Sequence, residues 1–156
     1  LGNCIYLSDD PKTVKTKVMG MYTDPQHLNI ADPGHVEGNA VFTYLDAFCT
    51  DEQFAEYLPE YANLEEMKDH YRRGGLGDVK CKKFLIKVLE EMLTPIRAER
   101  AKWAADIPEV YNILRKGTEH AAEETNRTLE EVRDAMRINY FDDDAIIGDW
   151  KAWINH

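Results

Sequence analysis

A chain of 156 residues with 44% apolar and 31% charged side chains has the composition of a folded globular domain with a real core, not of a disordered segment. No apolar run approaches the roughly 18–20 residues that cross a bilayer, and no charged-then-apolar leader opens the chain, so neither a membrane span nor secretion is expected. A net charge of -10 argues against a general nucleic-acid coat, and three scattered cysteines (Cys4, Cys49, Cys81) read as buried thiols in a reducing cytoplasm.

Nearly every segment carries helix signals. Ser8-Asp9-Asp10-Pro11 is a start, with acidic caps and then proline, and Val14, Val18 and Met21 follow as one apolar stripe. Residues 23–38 hold two Asp-Pro pairs and two glycines and read as a loop. Val41, Phe42, Tyr44, Leu45 and Phe48 make a strongly apolar helix, and Thr50 with Gln53 forms a capping box for the next. Asn63 and Glu66 start another, which Gly74-Gly75 stops.

Gly77-Asp78 opens what reads as the longest helix. Its expected buried stripe is Cys81, Phe84, Leu85, Val88, Met92 and Ile96, with Lys80, Lys83 and Lys87 on the other side and Pro95 bending it. Asp106-Ile107-Pro108 begins a further helix, with Val110, Ile113, Leu114 and Ala121 inward. Thr128-Leu129-Glu130-Glu131 then caps a separate short helix through Ile138. The tail carries Asp142-Asp143-Asp144 and Ile146, Ile147, Trp150 and Trp153, a spacing that suits a last helix docking on the bundle. The fold class is all-α: a helical bundle.

Charge is distributed unevenly. Residues 72–102 hold nine basic and four acidic residues, a net +5 that leaves -15 for the rest. A basic helix set in an acidic body can aim a nucleic acid at one surface.

The motifs of catalysis are missing. There is no ExxH pair for a di-iron bundle, no GxSxG, no Walker loop and no GxGxxG. Glu66/His70 and His120/Glu124 have the i,i+4 spacing common on solvated helix faces, and Gly74-Gly75-Leu76-Gly77 reads as a helix stop and start. Trp103, Trp150 and Trp153 are expected in or beside a core. No catalytic residue and no metal ligand is expected.

The order of segments points further. Leu1-Gly2-Asn3 running into Cys4-Ile5-Tyr6-Leu7-Ser8-Asp9-Asp10-Pro11 resembles the sequence that follows the KMSKS signature in class I tryptophanyl-tRNA synthetases of bacterial type. Tyr22-Thr23-Asp24-Pro25, Asp32-Pro33-Gly34, and Gly38-Asn39-Ala40-Val41-Phe42-Thr43-Tyr44-Leu45 are similar to the segments that come next. So are Gly77-Asp78-Val79-Lys80, Leu93-Thr94-Pro95-Ile96-Arg97 and the run from Gly117 through Thr128-Leu129 and Val132. The resemblance covers about residues 1–138. The Asp- and Trp-bearing tail matches no family motif, and Gly38-Asn39 stands where many members have Pro-x-Asn.

That resemblance implies the C-terminal helical domain of an enzyme that activates tryptophan with ATP and attaches it to its tRNA. It divides the chain into 1–8, the end of the KMSKS loop region; 9–138, a helical anticodon-binding domain; and 139–156, a helical tail packing on that domain. The implied partners are tRNA(Trp), through its anticodon stem-loop, and the enzyme's own catalytic domain. ATP and magnesium belong to the full enzyme and no cofactor to this piece. The full enzyme is expected to be a homodimer and the piece an inactive monomer in the cytoplasm. For RNA contact the charge pattern nominates Lys80, Lys83, Lys87 and Arg97. Tyrosyl-tRNA synthetase, which shares this organisation, and an acidic helical interaction module stay open as alternatives.

Overall fold

The structure, a computed structural model, describes residues 4–139 and 144–154. Within them the chain is all-α: seven helices and no strand. Leu1, Gly2 and Asn3, read as following the KMSKS signature, lie outside the described residues, as do Asp142 and Asp143 of the tail. Two compact units are present, Leu1–Lys102 and Trp103–His156.

The first unit is built from α1 (Pro11–Met19), α2 (Ala40–Phe48), α3 (Asp51–Tyr57), α4 (Leu64–Arg73) and the greater part of α5 (Asp78–Ala105). Its helices start where short polar side chains satisfy first-turn N–H groups. Asp10 accepts from Thr13 N, Asn39 from Val41 N and Asn63 from Glu66 N, and Thr50 forms its capping box with Gln53. Gly74 ends α4 at φ 83, a left-handed conformation that favours glycine, and a Cβ there would collide with the carbonyl of Ala31. Gly34 is required by close approach, because a Cβ would fall on the Tyr71 ring.

The core gathers Val14 and Val18 of α1, Phe42 and Leu45 of α2, Phe54 of α3, Met67 and Tyr71 of α4, and Leu85 of α5. Phe42 packs on Tyr71 at 4.9 Å between ring centroids, and Phe54 on Phe84 at 4.6 Å. On α5 the buried stripe continues through Leu89 and Leu93, while Met92 is half-buried and Ile96 exposed, so it does not follow the expected Met92–Ile96 line. The core thus lies one residue to the side of the row that spacing alone selects. α5 runs unbroken through Pro95 to Ala105.

Two cations of α5 fasten α1. Lys82 donates to the carbonyls of Met19 (3.0 Å) and Met21 (2.8 Å), the C-terminal end of α1 that attracts cations. Arg97 donates to Asp9 O at 3.0 Å and pairs with Glu90. Since Arg97 holds the start of α1 and Lys82 its end, the two helices run antiparallel.

The second unit holds α6 (Ile107–Met136) and α7 (Asp144–Ile154). α6 is one helix of 30 residues, longer than the 28 of α5, where two helices were expected. Thr128 is not a cap: it sits inside α6 and its hydroxyl donates to Glu124 O. Gly117 does not interrupt the helix either, since a single exposed glycine costs only about 1 kcal/mol against the rest of a long ladder. The helix ends instead at Arg137, with φ 54. Val110 is half-buried, but Ile113, Leu114 and Ala121, expected inward, are exposed, and no residue of α6 is buried. Trp103, Trp150 and Trp153 are exposed rather than set in a core.

Candidate nucleic-acid interface

The start of α5 is where the basic face meets a cleft. Asp78, the first residue of the helix, turns its carboxylate toward the first unit's interior. Oδ1 accepts from the Tyr71 hydroxyl at 2.7 Å, and Oδ2 from the Thr23 hydroxyl at 3.1 Å. Asn39 Nδ2 donates to the Tyr71 oxygen at 3.3 Å. Burial and the neighbouring Asp78 charge push the Tyr71 hydroxyl far above its ordinary pKa, so it stays a donor. The ring of His27 lies against that of Tyr71, with 4.7 Å between centroids, and its Nδ1 is 3.4 Å from Asp78 Oδ1. One network therefore joins the 23–38 loop, α2, α4 and α5.

The loop is itself stiffened by Asp24. This buried carboxylate accepts from Gln26 N (2.9 Å) and from both His35 N (2.7 Å) and Nδ1 (2.8 Å). Those bonds hold its pKa down to about 2. Gly75 N donates to Ile30 O, and Gly34 N to Tyr71 O at 3.0 Å, closing the loop on α4.

Between the loop and the start of α5 opens a cleft of ≈ 560 Å³. His27, Leu28 and Ile30 line one side and Val79, Lys80 and Lys83 the other. Leu28, Ile30 and Val79 are exposed, so the wall combines apolar rim with cations. Lys80 pairs with Glu60 and lies 5.6 Å from the Tyr61 ring centroid. The Glu60 bond raises the pKa of Lys80, which therefore keeps its charge. Lys83 has no ion-pair partner among the described residues, and Lys87 sits 6.0 Å over the Tyr57 ring.

Of the four residues nominated from sequence, the structure thus brings Lys80 and Lys83 together at the cleft and sets Lys87 one turn farther along α5. Arg97 lies apart from them in its bonding, half-buried between Asp9 O and Glu90. Sequence reasoning did not select His27, which contributes to the cleft from a loop 51 residues before Asp78. The Gln-His in a turn-rich segment carries no local signal for such a role.

Among the described residues, no group of three His, Cys, Asp or Glu side chains comes together in a way that could hold a metal ion. His70 Nδ1 bonds the Tyr61 hydroxyl at 2.7 Å, while Glu66 accepts from Ala62 N. Burial raises the thiol of Cys81 to about 12 and that of Cys49 to about 11, which favours the protonated thiol at both. Cys81 alone of the three is buried, and Cys4 is exposed. No helix is long and apolar enough to cross a membrane, among the described residues.

No family model matches the chain. Curated relatives do. Over 141 residues, 90% of this chain, it is 55% identical to the tryptophan--tRNA ligase of Clostridium longisporum. It is 52% identical to that of Streptococcus pyogenes serotype M1 and 50% to that of Streptococcus pneumoniae serotype 4 (strain ATCC BAA-334 / TIGR4), again over 141 residues. The chain is related to the tryptophan--tRNA ligases. It spans 39% of the length of each of these relatives. Their name agrees with the tryptophan form of the synthetase resemblance rather than the tyrosine form.

Proposed function

We propose that this chain is the C-terminal, tRNA-facing helical part of a tryptophan--tRNA ligase, and that its cleft and the Lys80–Lys83–Lys87 face of α5 receive the anticodon stem-loop of tRNA(Trp). The observation that carries the reading is the meeting of exposed apolar side chains with two lysines at one helix start, in a chain whose net charge is -10. Single-stranded bases are held by apolar and aromatic surfaces and edge hydrogen bonds, while cations hold the phosphates.

The whole enzyme would activate tryptophan with ATP and magnesium in the cytoplasm and transfer it to the 3′ end of the tRNA. In this reading ATP and magnesium belong to the part of the enzyme that this chain does not match. The chain alone has no catalytic role in this reading. The exposed apolar stripe of α6, including Ile113, Leu114 and Val132, supports the enzyme's own catalytic domain as a second partner. Dimerisation of the whole enzyme would run through that domain, leaving the isolated chain a monomer by sedimentation.

The test is RNA binding at low salt with an anticodon stem-loop. Reversing Lys80, Lys83 and Lys87 to Glu weakens binding by about 100-fold or more while the helical circular dichroism is kept. Unchanged affinity in the triple variant sinks the assignment. Arg97 is left intact because its bonds to Asp9 and Glu90 are structural.

A further inference from the structure

We propose that His27 takes up a proton as an RNA phosphate enters the cleft at the start of α5, so that anion and proton bind together. The inference rests on the RNA-binding reading above and adds a ligand and a linkage to it. His27 is only 7% exposed, and its Nδ1 faces Asp78 Oδ1 at 3.4 Å. A carboxylate only accepts, so the hydrogen of this contact belongs to Nδ1. That leaves Nε2, which is buried and has no partner among the described residues. A neutral ring strands a lone pair there; a charged ring strands an N–H. Buried polar atoms are rarely left in either condition.

The surroundings decide which ligand completes it. The first N–H groups of a 28-residue helix, at Asp78 and Val79, have no partner within the helix and carry its positive dipole end. Lys80 and Lys83 line the same cleft. All of these favour an anion, and a phosphate oxygen, being an acceptor, can satisfy Nε2 only when the ring is protonated. Other groups facing His27 are Asp78 from α5, Tyr71 from α4 and Asp32 from its own loop. These carboxylates and the two lysines surround the ring, and a bound phosphate supplies the acceptor that Nε2 lacks. Leu28 and Ile30 are exposed and line the cleft beside His27.

The experiment is isothermal titration of the 156-residue chain with an anticodon stem-loop RNA between pH 6 and pH 8, in two buffers of different ionisation enthalpy. The wild-type chain binds about tenfold more tightly at pH 6 than at pH 8, with uptake approaching one proton. In His27→Gln the pH dependence and the uptake are lost, and binding through Lys80 and Lys83 persists. The variant also subtracts protons taken up by the RNA itself. Should His27→Gln fail to fold, the nitrogen-15 spectrum of wild-type His27 gives the same answer, since RNA then converts Nε2 to its protonated form. RNA binding without proton uptake overturns this proposal alone, as does equal uptake in a folded His27→Gln, which would place the proton on another histidine. Absence of RNA binding at every pH overturns the parent reading and this one with it.

Discussion

In Leu1–Lys102 the apolar stripes of four short, capped helices and of α5 close on a common core, with Phe42, Met67, Tyr71 and Leu85 wholly buried. In Trp103–His156 a helix of 30 residues shows Tyr111, Leu114, Val132 and Met136 at its surface and buries nothing. α5 and α6 are both amphipathic. Amphipathicity says which face of a helix can be covered; it does not say that the cover lies within the same unit. The stripe of α6 is uncovered among the described residues, whereas the buried one of α5 belongs to the core of the first unit.

Substitutions can press on that contrast. Phe42→Ala removes a ring wedged between α2 and α4, and its expected cost is about 3–5 kcal/mol in denaturant unfolding of the first unit. A cost below about 1 kcal/mol would show that this core is not the stabilising element. Gly34→Ala places a methyl group on the Tyr71 ring and should cost about 1–3 kcal/mol through overpacking.

A third probe uses acid. The folded pKa of Asp24, about 2, lies below its ordinary 3.8, so its contribution is complete above pH 4 and disappears as pH falls toward 2. Asp24→Asn should lower the melting temperature at pH 7 and flatten the loss of stability between pH 4 and pH 2. An unchanged acid profile would remove Asp24 from the loop's support.

The same glycine-to-alanine change has the opposite sign in α6. Nothing lies within 4 Å of a Cβ at Gly117, so Gly117→Ala should stabilise the helix by about 0.5–1 kcal/mol, read as a rise in its melting by circular dichroism. The smallest effect belongs to Leu114→Ala, within about 0.5 kcal/mol for the isolated chain. A large loss there would mean that the α6 stripe is covered after all.

How far these features were legible depends on their reach along the chain. The caps at Asp10, Thr50 and Asn63 and the stop at Gly74 are settled by three or four neighbouring residues, and they were readable. Thr128-Leu129-Glu130-Glu131 has the same local pattern, yet Thr128 lies mid-helix, because the preceding residues were already helical and offered its hydroxyl the Glu124 carbonyl. Spacing placed the apolar side of α5 correctly at Cys81, Phe84, Leu85 and Val88. It missed Leu89 and Leu93, since the neighbours that decide between adjacent rows come from other helices. Three of the four nominated cations share a face as expected. Arg97 and Lys82 could not be told from solvated charges, because their acceptors are backbone carbonyls 88 and 61–63 residues away. The His27–Tyr71–Asp78 network is hidden for the same reason.

The grip of Lys82 and Arg97 on the two ends of α1 has a mechanical consequence. Their positions on α5 are separated by 15 residues, about 22 Å of helix at 1.5 Å per residue. Two contacts that far apart resist sliding and pivoting of the helices better than one contact would. α1 is therefore held at both ends along the middle of α5, and loss of either cation alone would leave the other end attached.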